Sequence, residues 1–355
     1  MSLGAQLRLM PPILGEDRPL EIRSRRYLGA KTRLLDMLEQ VVLQECGRPR
    51  SFADLFGGTG VVADRFNAPD VQIIANDTLR CNVVAMRCFL ETSRVDMGRM
   101  SRLIAHLNAL PADEENYFST HFGGTYFTSE NARRIGAIRE CIAQWEASGF
   151  IRDDEAAVLL TSLVYATDRA ANTCGHYDAY RVRMDSTRHL RLRVPAIRQD
   201  ANVGNLVFER DANMLVDQIE ADVIYLDPPY NSRQYSDTYH LLENLVRWEK
   251  PPVFGKARKM NRTALKSAYC SRRAPRAFQD LVARARCRHL VVSYNNMGDK
   301  GDARSNACIP DEVIVGALEA RGPTRCHEIP FNHFTAGKRR IEAHVERIFV
   351  CRVVR

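Results

Sequence analysis

The chain has 355 residues, 45% hydrophobic and 26% charged, with a net charge of +8. That is the balance of a globular chain with room for one large domain or a core plus an inserted lobe. It excludes membrane spans, because no apolar run approaches the roughly 18 residues one needs, and the N-terminus, where Pro11 and Pro12 interrupt a short apolar patch, does not read as a signal peptide.

Ten cysteines occur without a CxxC pair. Cys174 and His176 form only an isolated Cys-x-His, so no metal site is expected and the thiols read as the reduced cysteines of a cytoplasmic protein. Charge is unevenly placed. Twelve Lys or Arg and a single acid, Asp280, lie between Lys250 and Arg288, and the rest of the chain is net negative. A second cluster comprises Arg181, Arg183, Arg188, Arg191, Arg193 and Arg198 around Asp185. Two basic segments on such a body point to a polyanionic partner, with solvated surface as the alternative.

In chain order, 31–46 places Leu34, Leu35, Leu38, Val41 and Val42 at helical spacing. "SFADLF" (51–56) predicts a strand, "GGTG" (57–60) a turn and "VVADRF" (61–66) a helix. "VQIIAN" (71–76) predicts a second strand, closed by Asp77 and followed by a helix. This is the entry to a doubly wound α/β domain. From about 96 to 203 the pattern is helical instead. One helix carries Ile135, Ile138, Ile142 and Trp145, with Thr128 or Ser129 as N-cap; a second runs from Asp153 toward Gly175. Strands resume near 204–212 and at 223–226. A helix is predicted over 236–248, a strand over 289–298, a helix over 311–322 and a closing strand over 344–354. The expected organisation is a core of 1–95 and 204–355 with a helical lobe inserted at 96–203.

Phe56-Gly57-Gly58-Thr59-Gly60 lies between a strand and a helix, where glycines let the backbone take positive φ and approach a ligand. Asp77, at the end of the next strand, suits the two hydroxyls of a ribose. Gly58-x-Gly60-x-x-Ala63 also fits a dinucleotide fingerprint, which leaves NAD as an alternative. The Phe-led turn and the extra carboxylate of Asp54 favour S-adenosylmethionine, whose amine is cationic and which has no pyrophosphate to repel.

The apolar run Val223–Leu226 ends on Asp227-Pro228-Pro229-Tyr230. The exocyclic amine of adenine is a poor nucleophile because its lone pair is delocalised into the ring. Two acceptors taking the two amine hydrogens draw that pair out of conjugation. The Asp227 side chain and the Pro228 carbonyl can supply them, and proline offers no competing N–H. Tyr230 offers a face on which a base rotated out of a duplex can stack.

With these motifs in order, the chain resembles the alpha-group (Dam-like) N6-adenine DNA methyltransferases, in particular modification methylases of restriction systems of the FokI kind. The resemblance rests on "RRYLGAKTRLL" (25–35), "DLFGGTG", "ND" (76–77), "ERDA" (209–212), "DPPYNSRQY" and "SYNNMG" (293–298). It implies an α/β, doubly wound Rossmann-like S-adenosylmethionine-dependent methyltransferase sheet with an inserted mainly helical lobe that carries target recognition. It implies that Tyr27 and Lys31 lie against the cofactor, that Asn76 and Asp77 bind its ribose, and that Asp211 lies near its adenine. Asp54, Phe56, Gly58 and Gly60 complete the expected cofactor site. Double-stranded DNA is the implied partner, with a cognate restriction endonuclease alongside.

Arg258, Lys259, Arg272 and Arg273 are expected at phosphates, and Arg181 and Arg183 near the groove. Asn231, Arg233 and Tyr235 either line a base pocket or cap the helix at Ser236. Asp227 favours adenine over cytosine, whose enzymes usually carry Ser there, and over protein glutamine, whose enzymes usually carry Asn. An RNA adenine methyltransferase and an inactive DNA-binding regulator are the alternatives; the first would more often add an RNA-binding module.

Overall fold

The computed structural model describes residues 18–29, 31–230, 232–295, 309–330 and 345–354. The expectations for Asn231, for 296–298 and for the N-terminal patch lie outside these residues. Contacts divide the chain into two compact units. One comprises Lys31–Thr78, Gly204–Gln234 and Leu265–Arg355; the other Met1–Ala30, Leu79–Val203 and Tyr235–Ala264.

The first unit is built on a seven-stranded sheet. Its strands are β1 (Ser51–Asp54), β2 (Gln72–Asp77), β3 (Leu206–Glu209), β4 (Ala221–Leu226), β5 (Cys287–Asn295), β6 (Thr324–Pro330) and β7 (Val345–Arg352). They lie in the order β3-β2-β1-β4-β5-β7-β6. β1 to β5 pair in parallel, and β7 runs antiparallel to both β5 and β6. The order reverses between β1 and β4, the switch point where ligands of such sheets bind.

β4 is a continuous apolar run because a parallel strand is covered on both faces. Ile224 and Leu226 join Leu290, Val292, Phe278, Leu281, Ile314 and Phe349 in one core. Tyr225, of opposite parity, lies 6.2 Å from Phe52, which stacks on Phe66 at 4.1 Å. The helix expected over 31–46 opens as a 3-10 turn, Lys31–Arg33, before the α-helix Leu35–Cys46.

Sequence patterns missed β6 and the helix Ala274–Arg284. β6, "TRCHEIP", has no apolar alternation, and it is an edge strand held by its backbone pairing to β7. The helix lies within the basic segment but buries Phe278, Leu281 and Val282 on one side, so its positive charge disguised an amphipathic element.

The second unit is helical. Ser129–Ala147 begins at Thr128, whose side chain accepts from the Asn131 N–H, and it buries the expected stripe of Ile135, Ile138, Ile142 and Trp145. Asp153–Ala170 ends earlier than its apolar pattern suggests. Ala171 turns extended, and Asn172 is drawn into the loops: its backbone N–H donates to Tyr126, and its side chain to the Thr125 and Arg181 carbonyls. The helix expected over 236–248 is two, Tyr235–Thr238 and His240–Arg247, and Trp248 in the left-handed region ends it.

This unit is larger than the expected 96–203 lobe. Helix Arg80–Met86 belongs to it because Thr161 donates to the Val84 carbonyl at 3.2 Å. Glu243, on His240–Arg247, accepts the Arg80 and Cys81 N–H groups at 3.1 and 2.9 Å and brings that later segment in. Among the described residues no helix is long and apolar enough to cross a membrane. No metal-competent group of three His, Cys, Asp or Glu occurs among them.

Candidate active site

Three parallel strands end on carboxylates at one edge of the sheet. Asp54 ends β1, Asp77 ends β2 and Asp227 directly follows β4. Asp54 lies in register with Ala75 and Tyr225, each two residues short of the other two acids. The turn after β1 is drawn toward β2: the Gly57 N–H donates to the Asn76 carbonyl at 2.8 Å, and the Gly58 N–H to Asp77 Oδ2 at 2.9 Å. Gly58 and Gly60 take φ of 55° and 81°. A side chain at either would strain the backbone, which is the physical content of the glycines. Phe56 packs edge-on against Tyr269 at 4.9 Å.

Asp54 is buried, and its Oδ1 accepts the Phe56 N–H at 3.3 Å. Burial first, then the charges of Asp227 and Asp77, push its carboxyl up to about 8. An acid that resists ionisation because it is buried, with two further acids beside it, marks a site short of positive charge.

Among the described residues one cation lies close to Asp227. Lys31 Nζ is 3.2 Å from its Oδ1 and also bridges Glu346, which accepts from Ser293 Oγ at 3.0 Å. Burial raises the Asp227 carboxyl and Lys31 draws it back, leaving it at about 6. Pro228 is buried, and Tyr230 packs against the sheet core, where burial raises its hydroxyl. Motif reading missed Glu346. The available signal was a weak one, an acid at the start of the apolar run Ile348–Cys351, of which both faces are buried.

Other expected residues land differently. The Asn76 amide is consumed by backbone: it donates to the Leu55 and Arg210 carbonyls at 3.1 and 3.0 Å and accepts from the Arg210 N–H at 3.1 Å. It ties the ends of β1 and β3 together. Asp211 caps Ala212–Leu215 by accepting the Asn213 N–H at 2.9 Å. Tyr27 belongs to the helical unit, where it stacks on Tyr239 at 4.5 Å and Tyr235 at 5.6 Å and accepts from Asn82. Tyr235 is thus part of a ring stack.

The basic segment is partly neutralised. Lys250 pairs with Glu140, Lys259 with Asp178, Arg262 with Asp237, Arg284 with Asp217 and Asp280, and Arg288 with Asp222. Lys259, expected at phosphate, therefore spends its charge at 2.8 Å on Asp178. Arg181 and Arg183 share Asp185 at 3.8 and 3.6 Å. Arg258 is half-buried with φ of 50°. Arg233, Arg272 and Arg273 are exposed.

The sheet, its switch point and the acid-lined edge are those of a Rossmann-like methyltransferase. The family described as D12 class N6 adenine-specific DNA methyltransferase matches residues 27–280, and the chain belongs to it. It is 32% identical to the type II methyltransferase M.FokI of Planomicrobium okeanokoites, over 87% of this chain and 49% of the relative. It is 32% identical to M.NlaIII of Neisseria lactamica, over 77% of this chain and 84% of the relative. Identity to the modification methylase StsI of Streptococcus sanguinis is 34%, over 77% and 44%. The chain spans about half the length of M.FokI and rather less of StsI.

Proposed function

We propose that the chain transfers the methyl group of S-adenosylmethionine to the N6 amine of an adenine in double-stranded DNA, as the modification arm of a restriction system. The observation that carries this reading is Asp227, partly buried beside Lys31 at the end of β4, on the edge that also holds the glycine turn and Asp77.

The edge suits that donor. Positive φ at Gly58 and Gly60 lets the backbone approach a ligand, Asp77 matches ribose hydroxyls, and the acid-rich surroundings of Asp54 favour a cation over a pyrophosphate. When bound, the donor supplies an electrophilic methyl group on a sulfonium.

The chain's own residues do the rest. Lys31 holds Asp227 Oδ1, and Oδ2 accepts one amine hydrogen of the target base while the Pro228 carbonyl accepts the other. The nitrogen lone pair is thereby localised for in-line attack. Tyr230 stacks on the base, rotated out of the duplex. As the nitrogen gains its methyl group it becomes cationic, and its proton passes to Asp227. Exposed Arg272 and Arg273 meet phosphates. The helical unit, centred on 96–203, carries target recognition. The names of the relatives support a restriction context and hence a cognate endonuclease.

The test is methyl transfer from labelled S-adenosylmethionine to unmethylated genomic DNA, total RNA and a protein extract in parallel. N6-methyladenine in DNA alone is the expected product. Label in RNA or protein overturns the substrate reading.

A further inference from the structure

Glu346 stands on β7, in register with Asn295 of β5, and is 8% exposed. A carboxylate on the buried face of a strand is costly unless a cation meets it. Lys31, also 8% exposed, does so, and Ser293 Oγ donates a further hydrogen bond at 3.0 Å. The same ammonium reaches Asp227 Oδ1 at 3.2 Å. One cation thus serves two acids, and the cluster keeps a net negative charge. Lysine is a point charge on a flexible stem, so a single carboxylate would fix its head poorly, whereas two held on separate strands define its place.

We propose that Glu346 is a positioning residue of the methyl-transfer site: it fixes Lys31 on one oxygen of Asp227 and, by claiming part of the ammonium, keeps Lys31 from neutralising Asp227 completely. The inference rests on the reading of Asp227 as the amine's acceptor.

Charge makes the idea discriminating. Among the described residues, the groups facing Asp227 are Lys31 from the 3-10 turn, Glu346 from β7, Asp54 from β1, and Tyr225 and Tyr230 on either side of it in sequence, and of these Lys31 is the positive one. Removing the Glu346 charge lowers the proton affinity of Asp227, and removing Lys31 raises it. A packing defect has no reason to give opposite signs.

The experiment uses the full chain and the variants Glu346→Gln, Glu346→Asp and Lys31→Met. Two quantities are read: the acidic limb of kcat for DNA methylation, and the titration of the Asp227 carboxyl by carbon-13 NMR, assigned by loss of its signal in Asp227→Asn. Glu346→Gln moves both midpoints down by about one pH unit. It lowers kcat about 10-fold, less than the loss expected for a general base itself, with the KM for DNA and for the donor held. Lys31→Met moves both midpoints up. Glu346→Asp keeps the charge and the limb but loses rate. Midpoints unmoved in Glu346→Gln, or moved the same way in Lys31→Met, overturn the proposal. If Glu346→Gln does not fold, the limb in Glu346→Asp decides, since a shift there contradicts it. If the wild type transfers no methyl group, opposite shifts in the carboxyl titration uphold the coupling while the reading of the reaction falls.

Discussion

Asp77 Oδ2 accepts the backbone N–H of Gly58 at 2.9 Å, so the acid that ends β2 closes the glycine turn that follows β1. Under the proposed function its carboxylate serves a ribose as well. Asp77→Ala should then cost about 1.5–3 kcal/mol of donor binding, the range for hydrogen bonds to a charged group, which is about 10- to 150-fold in Kd. Isothermal titration with S-adenosylmethionine measures this; unchanged affinity removes Asp77 from the ribose site.

Asp227 works as its carboxylate. Because burial outweighs Lys31 and leaves it at about 6, turnover should be on a plateau at neutral pH and fall as pH drops through that value. Asp227→Ala should lose about 10²–10⁴-fold in kcat with donor affinity largely intact. A variant with near-normal turnover would show that another group activates the amine.

Asp54 holds its proton in the folded chain up to about pH 8, far above the ordinary carboxylate value. Between those two values the folded chain binds the extra proton, so this group's contribution to stability is full at low pH and is lost as pH rises through about 8. Asp54→Asn imitates the protonated form. It should raise the thermal midpoint by on the order of 5 °C above that pH and by much less in mild acid. Equal effects at both ends of the range would mean that Asp54 is already ionised in the fold.

Exposed and paired cations should part company in DNA binding. Replacing Arg272 and Arg273 together by Ala should weaken binding across sequences and reduce the salt slope by about two. Lys259→Ala should leave the slope alone, because Asp178 already holds that charge, and loosen the 174–181 loop instead. Fluorescence anisotropy against salt concentration reads both; an equal slope change in Lys259→Ala would place it at phosphate after all.

The elements around β4 and the glycine turn were legible because their causes are local. Val223–Leu226 announces a buried parallel strand by its own continuity, and Asp227-Pro228-Pro229-Tyr230 ends it. Gly58 and Gly60 are glycines because φ there is positive. Thr128 caps its helix three residues from the N–H it accepts. Such features are decided by neighbours within a turn or a pleat.

What only the tertiary structure decided concerns partners far apart in sequence. Lys31 and Glu346 are 315 positions apart, and nothing near either residue announces the other. The Asn76 amide ties the ends of β1 and β3 together and Lys259 meets Asp178, contacts that no local pattern announces. Glu243, 163 positions from Arg80, moves the edge of the helical unit away from where motif order put it. A local pattern reports which face of an element is apolar. Which buried charge meets which counter-charge depends on the long-range packing of those faces, and in this protein that packing sets the surroundings of Asp227.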